Sequence, residues 1–199
     1  TDGAVLTLTN VSLMGDVSAG GGGVDVTALG SLTTDNVTFI RNAHAATVLA
    51  PFAGMEEVPE AVPKVVASGA DPMILEYIDM ITLAAMGTTL GLDLGIPQEV
   101  KDTALAYLVV VLESAHEDRL EADTQGVAEQ LAELGAIDVY VLPPKAATEL
   151  IDAREKAFWV AKANNANEII DVVVPRSAMP EFMNRISELA SETASWIAG

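Results

Sequence analysis

The sequence predicts an α+β domain of ferredoxin-like type, an antiparallel sheet with helices on one face, preceded by a short Gly- and Thr-rich β segment. Two observations carry this. From residue 47 onward, short apolar runs rich in β-branched residues alternate with stretches of helical periodicity in the order β-α-β-(α)-β-α-β, and a helix, a strand and a helix follow. Residues 1–40 differ in character, being rich in Thr, Val and Gly and poor in Lys and Arg. The chain therefore divides into a β-rich segment, 1–43, and an α+β domain, 44–199.

In the first segment LTLTNVSL at 6–13 aligns with LTTDNVTF at 32–39, an offset of 26 residues that keeps Asn-Val-Ser/Thr in both copies. The repeat resembles coils of a parallel β-helix. Two coils are too few to bury a continuous face, since roughly three or more stacked repeats are needed, and the plainer reading is two strands of one sheet joined by a glycine-rich loop. Glycines 20–23 lack the GxGxxG spacing, the following Lys-Ser/Thr and the helix dipole of a phosphate cradle, so a hairpin loop is expected there. The sequons at 10–12 and 36–38 read as ordinary strand residues in the absence of a signal peptide.

In the second segment TVLAPF at 47–52 is a strand. MEEVPEAVPKVVASG at 55–69 is a helix closed by Gly69, with Pro59 near its start and Pro63 a kink point. MILEYI at 73–78 is the next strand, after which Asp79 is placed to cap a helix through MITLAAM. TALAYLVVVLES at 103–114 is the longest β-branched run, and its apolar continuity predicts a central strand. EDRLEADTQGVAEQLAELG at 117–135 is an acidic amphipathic helix ended by Gly135, and AIDVYVLP at 136–143 is another strand. Over 148–163, Leu150, Ile151, Ala153, Ala157, Phe158, Val160 and Ala161 recur at helical spacing. An Asn-rich turn then leads to 169–174, a β-branched run stopped by Pro175 and read as one buried strand. Ser177 is placed to cap a last helix, with Pro180 and Glu181 in its first turn and Met179, Phe182, Met183, Ile186 and Leu189 as its apolar stripe.

Composition bounds the function. Of 199 residues 50% are apolar and 20% charged, enough to bury a core. The formal net charge of -19, from 29 acids and 10 bases, argues against binding a phosphate backbone, so no nucleic acid is expected as a partner. No apolar run reaches the roughly 20 residues that span a bilayer, and the N-terminus lacks the basic start of a signal peptide. A cytoplasmic protein without a membrane span is expected. With no Cys, disulfides and thiolate metal sites are excluded, and His44 and His116 alone cannot build a histidine-rich metal site. The chain begins at Thr rather than Met, which reads as a fragment.

AREKAFWVAKA at 153–163, IIDVVVPRSAMPEFMNRI at 169–186 and WIAG at 196–199, with HAATVLAPFAGMEEV at 44–58 and MILEYIDMITLAAM at 73–86 upstream, carry a resemblance. In this order the blocks resemble the C-terminal cap domain of the FAD-linked oxidases, relatives of the glycolate oxidase flavin subunit and of D-lactate and D-2-hydroxyglutarate dehydrogenases. The resemblance covers 44–199. It implies the substrate-binding cap of an FAD-dependent enzyme that oxidises a small 2-hydroxy acid, lactate or glycolate in type, to the 2-oxo acid. The Cα hydride would pass to FAD while a base takes the hydroxyl proton. FAD would be bound mainly by a domain not present here, with residues 1–43 either a remnant of that flavin domain or the β-helix-like segment. The family's GHxGDGNxH segment, with its metal-binding histidines, would follow residue 199, so a divalent metal would belong to the full-length enzyme and the fragment alone would be inactive. A homo-oligomer is compatible with this. The alternative is a noncatalytic ferredoxin-like binding or dimerisation module, which accounts for the scarcity of His, Cys and Lys.

The resemblance singles out few side chains. Arg154 stands where the family places an arginine that holds the substrate carboxylate, a task suited to a planar fork that never loses its charge; the plain alternative is a salt bridge with Asp152, Glu155 or another acid. Arg176 would face the same cavity or fix the turn after Pro175. Asp171 matches an acid of the family's strand, and would orient a basic group or bond the turn. The 2-hydroxyglutarate enzymes carry a lysine two positions before that acid, where this chain has Ile169, which weakens a dicarboxylate substrate. His116, amid Glu113, Glu117 and Asp118, is read as a solvated loop histidine because metal sites need several ligands. Trp159, Phe158 and Tyr77 suit a wall above a flavin but are more often core.

Overall fold

The computed structural model describes residues 44–170, 172–195 and 197–199, apart from the side chain of Arg176, and residues 5–9, 12–14, 31–35 and 38–40 through their backbone. Four short strands lead the chain: β1 (Val5–Thr9), β2 (Ser12–Met14), β3 (Ser31–Asp35) and β4 (Thr38–Ile40). β1 pairs with β3 and β2 with β4, both parallel, with Leu6 opposite Leu32 and Leu13 opposite Phe39. That register is the 26-residue offset of the internal repeat, so the two copies lie side by side in step. Parallel neighbours cannot be joined by a tight hairpin. The hairpin loop expected at glycines 20–23 lies outside the described residues.

The second segment runs β5 (His44–Phe52), α1 (Glu57–Ala67), β6 (Ile74–Asp79), α2 (Met80–Leu90), α3 (Gln98–Lys101), β7 (Ala106–Ser114), α4 (Glu117–Glu133), β8 (Tyr140–Val141), α5 (Pro144–Glu155), α6 (Ala157–Ala163) and α7 (Met179–Thr193). Its sheet has the order β6-β7-β5-β8 with every neighbouring pair antiparallel. Two βαβ units, β5-α1-β6 and β7-α4-β8, interleave in it, which is the ferredoxin-like arrangement. β7 lies inside the sheet and all but one of its nine residues are buried, as its unbroken apolar run requires.

Alternation along the strands feeds two cores. Val48, Ala50 and Phe52 of β5 and Leu108, Val110 and Leu112 of β7 face Val58, Ala61 and Val65 of α1 and Leu120, Val127 and Leu131 of α4. These two helices cover one face, as expected. The opposite face, with Leu49, Ile78, Tyr107, Val109 and Val111, is packed too, by Leu94, Ile96, Val100 and Leu150 from the β6–β7 connection and from α5. α2 is apolar nearly all round, but only its Met86 is buried, packing against Ala153 and Val160 of α5 and α6, while Met80, Ile81 and Leu90 are exposed.

Local chemistry sets most boundaries. Asp79 caps α2, its Oδ1 accepting Thr82 N–H at 2.6 Å. Gly69 and Gly135 have φ of 85° and 96°, the left-handed conformation that lets the chain leave α1 and α4. The predicted helix 148–163 starts earlier, at Pro144, and breaks at Lys156 into α5 and α6. The strand predicted at 136–143 shrinks to β8, although Ile137 N–H to Pro51 O and Leu142 N–H to Thr47 O, each 2.8 Å, prolong the same edge.

Two expectations in the last third fail. Residues 169, 170 and 172–174 form no strand; Ile170 is 78% and Val173 96% exposed. A β-branched run becomes a strand only where a neighbouring edge takes up its N–H and C=O groups, and these residues pair with neither edge of the sheet, β6 or β8. Ser177 does not cap the last helix either. It lies in a 3-10 turn, Arg176–Ala178, and Ala178 precedes α7 without a side-chain cap. Among the described residues no helix is long and apolar enough to cross a membrane.

Candidate functional site

The site is built on the second face of the sheet, where α5 lies against it. Leu150 and Ala153 are buried and fix the rotation of α5. That rotation brings Arg154 to Glu76 of β6, and Arg154 Nε forms an ion pair with Glu76 Oε2. Glu76 stands in register with Val109, between the same-face residues of the second core. The side chains are 39% and 31% exposed, so the pair is anchored by the sheet yet open to solvent on one side. Of the two readings of Arg154, the acid partner is present, but it is a residue of the sheet rather than a helix neighbour.

At the end of β6 a second carboxylate ties the molecule together. Asp79 is 4% exposed; besides capping α2 it accepts Gly199 N–H on Oδ2 at 2.8 Å, and its own N–H donates to Gly199 O at 2.8 Å. Gly199 thus meets β6 at the start of α2. On the other face Tyr77 is pushed above the ordinary tyrosine range, by burial first and then by the charge of Asp79.

The remaining predicted residues are scattered. Arg176 is described through its backbone alone, in the 3-10 turn, and Asp171 lies outside the described residues. His116 is exposed at the start of α4, as a loop histidine would be, and His44 pairs with Ser114 across the sheet. Phe158 and Trp159 are not core. They form an edge-to-face pair with centroids 5.0 Å apart and stand 48% and 70% exposed. Among the described residues no group of three or more His, Cys, Asp or Glu is arranged to hold a metal ion. Sequence reasoning missed Glu76, although it is the sole charged residue within the apolar run MILEYI and a charge there calls for a partner.

Sheet order, the additional layer on the second face and an arginine presented by α5 define a ferredoxin-like α+β domain with a candidate anion contact. Its family follows from comparison with known proteins. The family described as FAD linked oxidases, C-terminal domain, matches residues 41–198, and the chain belongs to that family. It is 54% identical over 148 residues to proteins of two Mycobacterium tuberculosis strains described as uncharacterized FAD-linked oxidoreductases, covering 74% of this chain and 32% of theirs. It is 27% identical over 150 residues to a D-lactate dehydrogenase of Anaerostipes hadrus, covering 73% of this chain and 31% of that one. The chain thus spans about a third of the length of the curated relatives it matches. A solved alkyldihydroxyacetonephosphate synthase aligns with 60% of the chain and 25% of its own at 10% identity and a TM-score of 0.40, a likeness too slight to use.

FAD carries a diphosphate that needs N–H donors or cations. The cavity of about 380 Å³ between α1 and α4 is lined by Asp123, Glu129 and Glu133, which repel it, and the other cavity is mainly apolar with a single Lys. Neither of these two cavities makes a cradle for the diphosphate.

Proposed function

We propose that this chain is the substrate-side portion of a longer FAD-dependent oxidoreductase that converts a small 2-hydroxy acid, lactate or glycolate in type, to its 2-oxo acid. Residues 44–199 are its cap. The observation that carries the reading is Arg154, held by Glu76 on the sheet and open to solvent on one side. Family membership supports the redox class, and the D-lactate dehydrogenase among the relatives supports the acid type. The flavin, held elsewhere in the longer protein, supplies the two-electron acceptor.

The chain's own part is binding and orientation. Glu76 pairs with Nε and holds the guanidinium at the sheet, which lowers the ordering cost when substrate arrives. The two terminal nitrogens of the fork carry the parallel N–H donors that a carboxylate accepts in bidentate fashion. Arg176 is a second contact to the same acid, and Asp171 orients a basic group. Arg154→Lys keeps the charge and loses the fork. In the flavin-loaded full-length protein it should lower kcat/KM about 10- to 100-fold, the range of one to two charged hydrogen bonds, with flavin content unchanged. Unchanged kinetics would remove Arg154 from the site.

The exposed Phe158, Trp159, Ile170 and Val173 favour a second reading, a noncatalytic docking or dimerisation module. Its test is sedimentation of the flavin-loaded protein: a concentration-dependent dimer abolished by Trp159→Ser, with no turnover of any 2-hydroxy acid, would replace the first reading.

A further inference from the structure

The second cavity, about 340 Å³, lies between α2 and the 92–98 stretch of the β6–β7 connection, over the second face of the sheet. Its volume is within the range of small-molecule sites. Leu83, Leu92, Leu94 and Ile96 make its walls. Tyr107 of β7 makes the floor. It is 2% exposed. Toward the mouth stand Gln98, whose amide is engaged by Asp102, and Lys101, which makes no ion pair among the described residues. An unpaired ammonium at the mouth of an apolar cavity, in a chain of net charge -19, is the feature that selects the ligand.

We propose that this cavity binds an amphipathic monocarboxylate. The aliphatic body lies among the leucines and Ile96 over Tyr107, and the carboxylate is held at Lys101. Dianions and phosphorylated compounds are disfavoured, because Glu99 and Asp102 flank the single cation in sequence. The site requires neither flavin nor Arg154, and stands or falls apart from the reading above.

The test is calorimetric titration of the protein with sodium octanoate, with butyrate and octan-1-ol as comparison probes. Saturable binding of one octanoate per chain is expected, with butyrate at least 10-fold weaker because it leaves most of the apolar wall unfilled. Octan-1-ol, which lacks the charge, should also be at least 10-fold weaker. Lys101→Gln should weaken octanoate about 10-fold and leave octan-1-ol unchanged. Gly87→Leu fills the cavity from α2. A Cβ there meets only Leu92 O at 3.5 Å, an ordinary contact, and Leu is the better helix former, so the variant should fold and lose octanoate binding. Absence of saturable binding to the wild-type protein overturns the proposal. Equal binding by wild type and Gly87→Leu also overturns it, since octanoate would then be bound by the exposed surface around Trp159.

Discussion

Replacing Asp79 separates two contributions that one carboxylate makes. Oδ1 caps α2 through Thr82 N–H, and Oδ2 receives the N–H of Gly199. Loss of a cap costs about 1 kcal/mol, within a span of roughly 0.5–2. The bond to Gly199 is a second hydrogen bond to the same carboxylate, and about 0.5–1.5 kcal/mol is its share. Asp79→Ala should therefore destabilise the domain by about 1–3.5 kcal/mol, which corresponds to about 2–14 °C in Tm for a protein of this size. Asp79→Asn keeps an oxygen for Thr82 but turns an NH₂ toward the Gly199 N–H, and should cost about half as much. Urea unfolding followed by circular dichroism at pH 7 measures both. An Ala variant within about 0.3 kcal/mol of wild type would refute the double role, and so would an Asn variant as damaged as Ala.

Three further outcomes follow from the structure. Phe52→Ala removes a fully buried ring between β5, α1 and α4 and should cost about 3–5 kcal/mol in the same unfolding assay. Tyr140 is pushed up to about 12, mainly by burial and then by the neighbouring Asp138 carboxylate, and its neutral form is the one the fold favours. Its stabilising contribution is complete below about pH 10, where the unfolded chain still holds the proton, and is lost as pH rises to about 12; the urea midpoint should fall across that window, less steeply in Tyr140→Phe. Glu76→Gln, which removes the charge that seats Arg154, should raise KM for the hydroxy acid more than it lowers kcat, because it disorders a binding group and leaves the reacting atoms alone.

What the sequence showed and what it hid divide along the range of the interactions. β7, the cap at Asp79 and the glycine exits at 69 and 135 were legible, because each depends on neighbours within a turn or on an unbroken apolar run. The ferredoxin-like order followed from the alternation of those elements. The run at 169–174 has every propensity of a strand, yet propensity names no partner edge, and without one it stays out of the sheet. The second-face layer was hidden because α2 is apolar on all sides and does not declare which side is covered. At the candidate site, Arg154 was legible through the family resemblance alone. Glu76 was not, since an ion pair between distant positions leaves no periodic trace.

The most direct test of the account is anaerobic mixing of the full-length, flavin-loaded protein with D-lactate, glycolate and D-2-hydroxyglutarate while its visible absorption is recorded. The account predicts bleaching of the oxidised flavin by D-lactate or glycolate, slowed at least 10-fold by Arg154→Lys, the loss of one to two charged hydrogen bonds. A flavin that stays oxidised with all three acids would contradict it.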